Sequence, residues 1–217
     1  MSQPLLSILI PTVVGREENC TRLLTRLLSS KLEVVGEGWV GKDERFWGID
    51  VDEIQIIGCK DNKEMTIGEK REMLYQKADG LFSVQWDDDD DIADNGIELI
   101  LKAIKDTEAV FPVDVITYRE NCMMNGKYFS SNHSLIYDKW RDGWDGYDFT
   151  RSPFYKDVIR TSIAKQVPFP PIRYNEDEQW SYAINPLLQT EHHIDEEIYF
   201  YIYNETPHNE RYGITQR

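Results

Sequence analysis

The sequence of 217 residues is poor in cysteine: Cys20, Cys59 and Cys122 are the only three, and no two are spaced C-x-x-C. That excludes a disulfide framework and points to reduced, buried thiols in a cytoplasmic protein. Long apolar runs are missing too. No stretch reaches the roughly 18 residues that a membrane-spanning helix needs. The apolar segment from Leu5 to Val14 is interrupted by Pro11 and lacks a basic flank and a small-residue cleavage site, so neither a signal peptide nor a membrane span is expected. Basic residues are scarce, 24 Lys and Arg against 39 Asp and Glu, for a net charge of −15. Such a chain repels phosphate backbones and anionic membrane surfaces, so tight binding of duplex nucleic acid is not expected. Divalent cations are favoured wherever the carboxylates cluster. There is no internal repeat, and the only low-complexity segment is the Asp run at 87–91. What is present suits a folded domain. Hydrophobic residues at 41% and aromatics at 12% exclude a disordered chain, and a single domain over 1–217 buries roughly 70% of its unfolded surface without a disulfide or metal staple.

The first half alternates strand and helix patterns. Leu5 to Ile10 is a continuous apolar run ending at Pro11, as a buried parallel strand would be. Leu23, Leu24, Leu27 and Leu28 share a helical face behind Glu17 and Glu18. Strands are expected at Ile54–Ile57, Leu81–Trp86 and Val113–Tyr118. A capping box at Thr66-Ile67-Gly68-Glu69 opens a helix to about Ala78, and Ile97, Ile100, Leu101 and Ile104 mark another. This order implies an α/β fold whose central, mostly parallel sheet carries helices on both faces. Ligands bind such sheets outside the carboxyl ends of the strands, where Pro11–Arg16, Cys59–Asn62 and Asp87–Asp91 converge. The second half adds a smaller antiparallel part: a hairpin turn at Asn125-Gly126, a helix from Glu176 to about Ile184 capped by Asn175, and an aromatic strand at Ile198–Tyr203. Residues 138–155 have no period and read as a loop. Residues 33–50 read as an insertion.

The Asp run is the strongest chemical signal. In an extended chain Asp87 and Asp89 share a face roughly 7 Å apart. Their repulsion is about 0.6 kcal/mol in water and about 2.4 at an effective dielectric of 20. A cation relieves that cost, and carboxylates beside a crevice suit Mg²⁺ or Mn²⁺ completed by phosphate oxygens. A solvated acidic loop is the simpler account, but the run follows a buried strand ending in Trp86. Glu176-Asp177-Glu178 could hold a general base, although acidic residues also favour any helix start. Lys70-Arg71 could reach a diphosphate, or could lie on a solvated face; because they are about 100° apart on a helix, only one of the two is expected to point inward. His192, His193 and His208 could be ligands or ordinary surface histidines. Two patterns fail. Gly36-Glu37-Gly38-Trp39-Val40-Gly41-Lys42 imitates phosphate-binding loops, yet Asp43 follows and no helical period begins there. An EF-hand from Asp91 has Ala93 and Lys102 at ligand positions.

Taken together, the motifs resemble a family 2 glycosyltransferase of the GT-A fold. The likeness rests on Ile8-Leu9-Ile10-Pro11-Thr12 with Arg16, on Asp61-Asn62, and on Ile67-Gly68-Glu69-Lys70-Arg71 leading through Ala78-Asp79-Gly80 to Asp87–Asp91. It ends with Phe169-Pro170 and Tyr174-Asn175-Glu176-Asp177-Glu178-Gln179-Trp180, so it brackets about residues 5–203. Glu72 departs from the Asn that many members carry, and the D-x-D register fits both 87/89 and 89/91, with the strand end favouring the former. The resemblance implies inverting transfer of a sugar from a nucleotide sugar, a UDP-sugar being expected, to a hydroxyl acceptor such as a saccharide, a lipid-linked sugar or a modified base. It implies that Pro11, Thr12, Arg16, Asp61, Lys70, Arg71, Asp87 and Asp88 hold the donor. Asp89 and Asp87, with His208, would bind Mn²⁺ or Mg²⁺. Asp177 would be the base, with Glu176 orienting it and Glu178 as fallback; Trp144, Tyr147 and Glu178 would meet the acceptor. Residues 1–118 would form the donor half and 119–217 the acceptor and catalytic half. The alternatives are a nucleotidyltransferase, disfavoured by the absence of a Gly-rich basic loop after the first strand, and an inactive sugar- or cation-binding module.

Overall fold

The computed structural model describes residues 3–29 and 38–203. The chain runs β1 (Leu6–Val13), α1 (Glu17–Ser29), β2 (Trp39–Val40), β3 (Phe46–Val51), β4 (Ile54–Asp61), α2 (Ile67–Lys77), β5 (Phe82–Gln85) and β6 (Asp91–Ile92). It continues through α3 (Gly96–Val110), β7 (Val115–Met124), β8 (Lys127–His133), β9 (Arg141–Trp144), β10 (Tyr147–Arg151), β11 (Val158–Arg160), α4 (Thr161–Ala164), α5 (Glu176–Ile184) and β12 (Glu191–Tyr203). One sheet holds them in the order β2-β3-β4-β1-β5-β11-β7-β8-β10-β9, with β12 beside β7 and β6. At its centre β4, β1 and β5 are parallel. β11 is antiparallel to both β5 and β7, and β12 runs parallel to β7. Among the described residues no helix is long and apolar enough to cross a membrane.

The side-chain alternation of a strand divides the core in two. Leu6, Ile8 and Ile10 of β1 pack with Leu23 and Leu27 of α1 and with Ile97, Ile100 and Ile104 of α3. Leu9 points the other way, into a cluster with Leu74 and Tyr75 of α2 and Trp180 and Ile184 of α5. Helices therefore cover both faces, as the alternation of patterns requires. The second cluster carries a stack of rings: Trp180 lies 4.6 Å from Phe169 and 5.4 Å from Tyr75 between centroids. This stack locks α5 against α2.

Several boundaries differ from the sequence reading. β1 does not stop at Pro11 but continues to Val13, paired with β4. On its other side β5 pairs only as far as Leu9, so Pro11 sits where the sheet has a free side and its missing N–H costs no ladder bond. Within the segment read as an insertion, β2 and β3 form an antiparallel hairpin on the sheet edge against β4. Gly41 and Lys42 thus precede a strand, not a helix. Residues 138–155 are not a plain loop: β9 and β10 form a hairpin whose turn residues Asp145 and Gly146 have φ of 55° and 82°. The aromatic strand is longer than expected and begins at Glu191. Asn175 does precede α5, but in the left-handed region and without a side-chain cap.

Candidate active site

Three carboxyl-end loops meet beside β1, β4 and β5, and a cavity of about 260 Å³ lies among them. Pro11, Thr12, Arg16, Lys70, Asp87, Asp88 and Asp89 line it, together with Lys63 and Ile67. The sequence reading had not singled out Lys63; its φ of 66° marks the bend after β4 that brings it there. Two of the expected donor residues are not in the lining. Asp61 is buried beneath Lys70, whose Nζ donates to it and, at 2.6 Å, to the Thr12 carbonyl. Burial pushes the Asp61 carboxyl up, but the Lys70 hydrogen bond and the Met65 backbone N–H outweigh it and hold it below its ordinary value. Arg71 turns away from the cavity altogether.

The Asp run is a turn and not an extended strand, closed by the Asp90 N–H donating to the Asp87 carbonyl at 3.3 Å. Its five carboxylates consequently diverge to different partners. Asp87 Oδ1 accepts from Arg71 Nη2 at 2.9 Å and Oδ2 from the Tyr155 hydroxyl at 2.8 Å. Asp88 accepts from Thr12 Oγ1 and, at 2.8 Å, from Arg16 Nη1. Asp90 accepts from the Tyr199 hydroxyl at 2.6 Å and the Ile202 N–H at 2.8 Å, which pins β12 beneath the loop. Asp91 pairs with Arg26, and Arg22 donates to the Asp89 and Asp90 carbonyls. Arg22 and Arg26 went unnoticed in the sequence, although both face outward on α1 one helical turn apart. Asp89 alone keeps a half-exposed carboxylate with one partner, Arg16 at 3.1 Å. Burial and the neighbouring Asp87 raise its pKa against the pull of Arg16.

Arg71 joins the two acidic motifs. Its guanidinium, 4% exposed, bonds Asp87 and, through Nε at 3.3 Å, Glu176 Oε1. It stacks on the Tyr155 ring at 3.5 Å. The residue expected to touch phosphate is instead a buried clamp between the Asp run and the start of α5. Burial raises the Glu176 carboxyl even with Arg71 beside it. Asp177, half-buried, lines a second cavity of about 340 Å³ that it shares with Asp87. Glu178 accepts from the Tyr182 hydroxyl at 2.7 Å. None of the residues expected to meet the acceptor lines this cavity: Trp144 and Tyr147 lie outside it on the β9–β10 hairpin, Arg141 covering the Trp144 ring at 4.2 Å, and Glu178 is also outside, whereas Trp140 and Phe149 do line it. His192 lines a shallow surface pocket with Val110 and Phe111, and His193 meets Thr117 Oγ1 at 2.9 Å; neither joins the site. His208 lies outside the described residues.

The donor set fits a divalent cation. Asp89 is a hard, half-exposed carboxylate that shares Arg16 with Asp88, and among the described residues no three His, Cys, Asp or Glu side chains form a ready cage. An ion held there would be completed by phosphate oxygens and water, the habit of Mg²⁺ and Mn²⁺. 

The parallel β4-β1-β5 core, the acidic loop after β5 and the acidic helix α5 define a GT-A fold. The chain is similar to S. aureus TarS, a GT-A-type family 2 glycosyltransferase. With TarS residues 1–349 in complex with UDP-GlcNAc the TM-score is 0.63 at 16% identity, covering 94% of this chain and 60% of that one. With the UDP complex the TM-score is 0.61 at 14% identity, covering 92% and 60%. The longer TarS structure gives 0.59 at 14% identity, covering 91% and 36%. The chain thus spans at most about three fifths of the TarS chains it matches. No family model and no curated protein matches it.

Proposed function

We propose that the protein is an inverting glycosyltransferase that moves a sugar from a UDP-sugar to a hydroxyl acceptor. The observation that carries this reading is the Arg71 clamp: it holds Asp87, at the edge of the first cavity, and Glu176, next to Asp177, on either side of one crevice. The fold it shares with TarS supports UDP as the nucleotide. The nucleoside diphosphate would occupy the cavity lined by Thr12, Lys63 and Lys70, with Arg16 leaving Asp89 for the phosphates. A divalent ion at Asp89 would neutralise charge developing on the departing diphosphate. Asp177 takes the proton of the acceptor hydroxyl. That oxygen bonds to the anomeric carbon as the bond from this carbon to the phosphate oxygen breaks, and UDP leaves with the electron pair. Attack opposite to the leaving group inverts the anomeric centre.

Asp177→Asn keeps the shape and deletes the base. Turnover is expected to fall about 10²–10⁴-fold while calorimetry of UDP with Mn²⁺ stays as in the wild type. Full activity in both Asp177→Asn and Glu178→Gln would overturn the assignment, and α5 would then simply begin with residues that suit its dipole. EDTA is expected to weaken UDP binding at least about tenfold, because phosphate oxygens complete the ion's shell; equal affinity with and without Mn²⁺ would remove the metal from the proposal.

A further inference from the structure

The second cavity has a floor that the reaction above does not use. Glu120, Ser131 and Lys156 form it, all buried, on β7, β8 and the loop before β11. Lys156 Nζ donates to Glu120 Oε1 at 2.7 Å and lies 3.9 Å from Asp90. Behind them His133, fully buried, bridges Glu120 at 3.2 Å and Asp157 at 3.1 Å. This network fixes the floor rigidly. It also leaves hydrogen-bonding capacity among the lining residues: the Lys156 ammonium has three donors and makes one hydrogen bond while lying over the Tyr201 ring at 4.1 Å, and the buried Ser131 hydroxyl has no partner among the described residues. Buried hydroxyls are rarely left so unless a ligand or water completes them. The walls are aromatic, with Trp140, Phe149 and Tyr201. The volume lies within the range of roughly 300–1,000 Å³ usual for small-molecule sites.

Charge narrows the occupant. Three carboxylates line the cavity, Asp87, Glu120 and Asp177, against two cations. Both cations are already paired, Lys156 with Glu120 at 2.7 Å and Arg151 with Asp142 at 3.3 Å. Asp87 and Glu120 are themselves paired, with Arg71 and Lys156, so Asp177 is the lining carboxylate with no ion-pair partner among the described residues, and an added anion would meet its charge in a partly buried space. A neutral ring with hydroxyls meets aromatic faces and a polar floor. Asp87 borders both cavities, so a group attached to a diphosphate in the first reaches the second directly.

We propose that this cavity receives the transferred sugar, that it selects a neutral hexose or N-acetylhexosamine over a hexuronic acid, and that Ser131 and Lys156 bind the ring substituents. The inference rests on the glycosyl-transfer reading above. The test is calorimetry with Mn²⁺ of UDP, UDP-glucose, UDP-N-acetylglucosamine and UDP-glucuronic acid, on wild type, Ser131→Ala and Phe149→Ala. A neutral UDP-sugar is expected to bind at least about tenfold tighter than UDP-glucuronic acid, since a buried unpaired charge is costly. Ser131→Ala is expected to weaken the neutral donors by roughly three- to tenfold, one lost hydrogen bond, and to leave UDP affinity and melting temperature unchanged; Phe149→Ala weakens the same donors and spares UDP. UDP-glucuronic acid bound as tightly as the best neutral donor, or variants that leave the neutral donors unaffected or weaken UDP equally, would overturn the inference while the function stands. Failure of UDP and of every UDP-sugar to bind wild type would overturn both.

Discussion

Arg71 has its guanidinium between two acids and over a tyrosine ring, so protein groups balance its charge, although its buried Nη1 has no hydrogen-bond partner among the described residues. Removing it in Arg71→Ala leaves Asp87 and Glu176 buried without their cation. Such a loss is expected to cost about 3–5 kcal/mol, measured by chemical denaturation, and to lower turnover because both acidic motifs shift; a loss under about 1 kcal/mol would contradict the clamp. Arg71→Lys restores charge but not the fork that reaches both partners, so it should recover only part of the stability. His133 sets a pH dependence. Burial alone would lower its pKa, but Asp157 and Glu120 raise it to about 9 from 6.5. The folded protein therefore binds this proton more tightly than the unfolded chain does. Its stabilisation is complete below about pH 6.5 and is lost as pH rises through about 9. The melting temperature is expected to fall by several degrees over that window, and His133→Gln should have a lower melting temperature at pH 6 and a flatter profile; parallel profiles would exclude the imidazolium. The Lys70-Arg71 pair was visible as chemistry, but adjacent residues on a helix diverge by about 100°, and sequence could not say that both would turn inward to acids.

Local signals set most elements. The capping box is complete: Thr66 Oγ1 accepts from the Glu69 N–H, and the Glu69 carboxylate accepts from the Thr66 N–H. Asn125-Gly126 forms its hairpin, with φ of 52° and 75°. Asp145-Gly146 carries the same chemistry and could have revealed the β9–β10 hairpin, but the surrounding Trp and Asp residues lack the alternation that flags strands. Gly68 shows what a local reading omits. In a helix Ala is worth up to about 1 kcal/mol over Gly, yet a Cβ here would lie 1.8 Å from the Pro170 carbonyl oxygen. The Gly68 N–H also donates to the Ile172 carbonyl at 3.2 Å. Gly68→Ala is expected to lower stability by about 1–3 kcal/mol and to reduce turnover more than UDP affinity, because the displaced backbone leads into α5. A melting temperature at or above wild type would show that this contact yields.

For the molecule as a whole, the excess of acid is managed locally. Arg16, Arg22 and Arg26 all reach the Asp run, so the densest negative patch is countered by nearby cations, with Asp89 sharing Arg16 with Asp88. Mn²⁺ with UDP should accordingly raise the melting temperature by more than the sum of the two separate shifts, since each ligand stabilises the folded state by mass action and completes the other's site; additive shifts would indicate independent sites. The sequence by itself determined the α/β class, the two-faced sheet and the two acidic motifs, because period, caps and turn residues are local and a run of five Asp needs no context to be noticed. Only the tertiary structure decided which carboxylate stays available, that Asp61 and Arg71 are buried pairs, and that Glu120, Ser131, His133 and Lys156 lie beside Asp87 and Asp177. Those residues sit on separate elements, and side-chain pairing across a sheet depends on register and packing, which no single segment encodes.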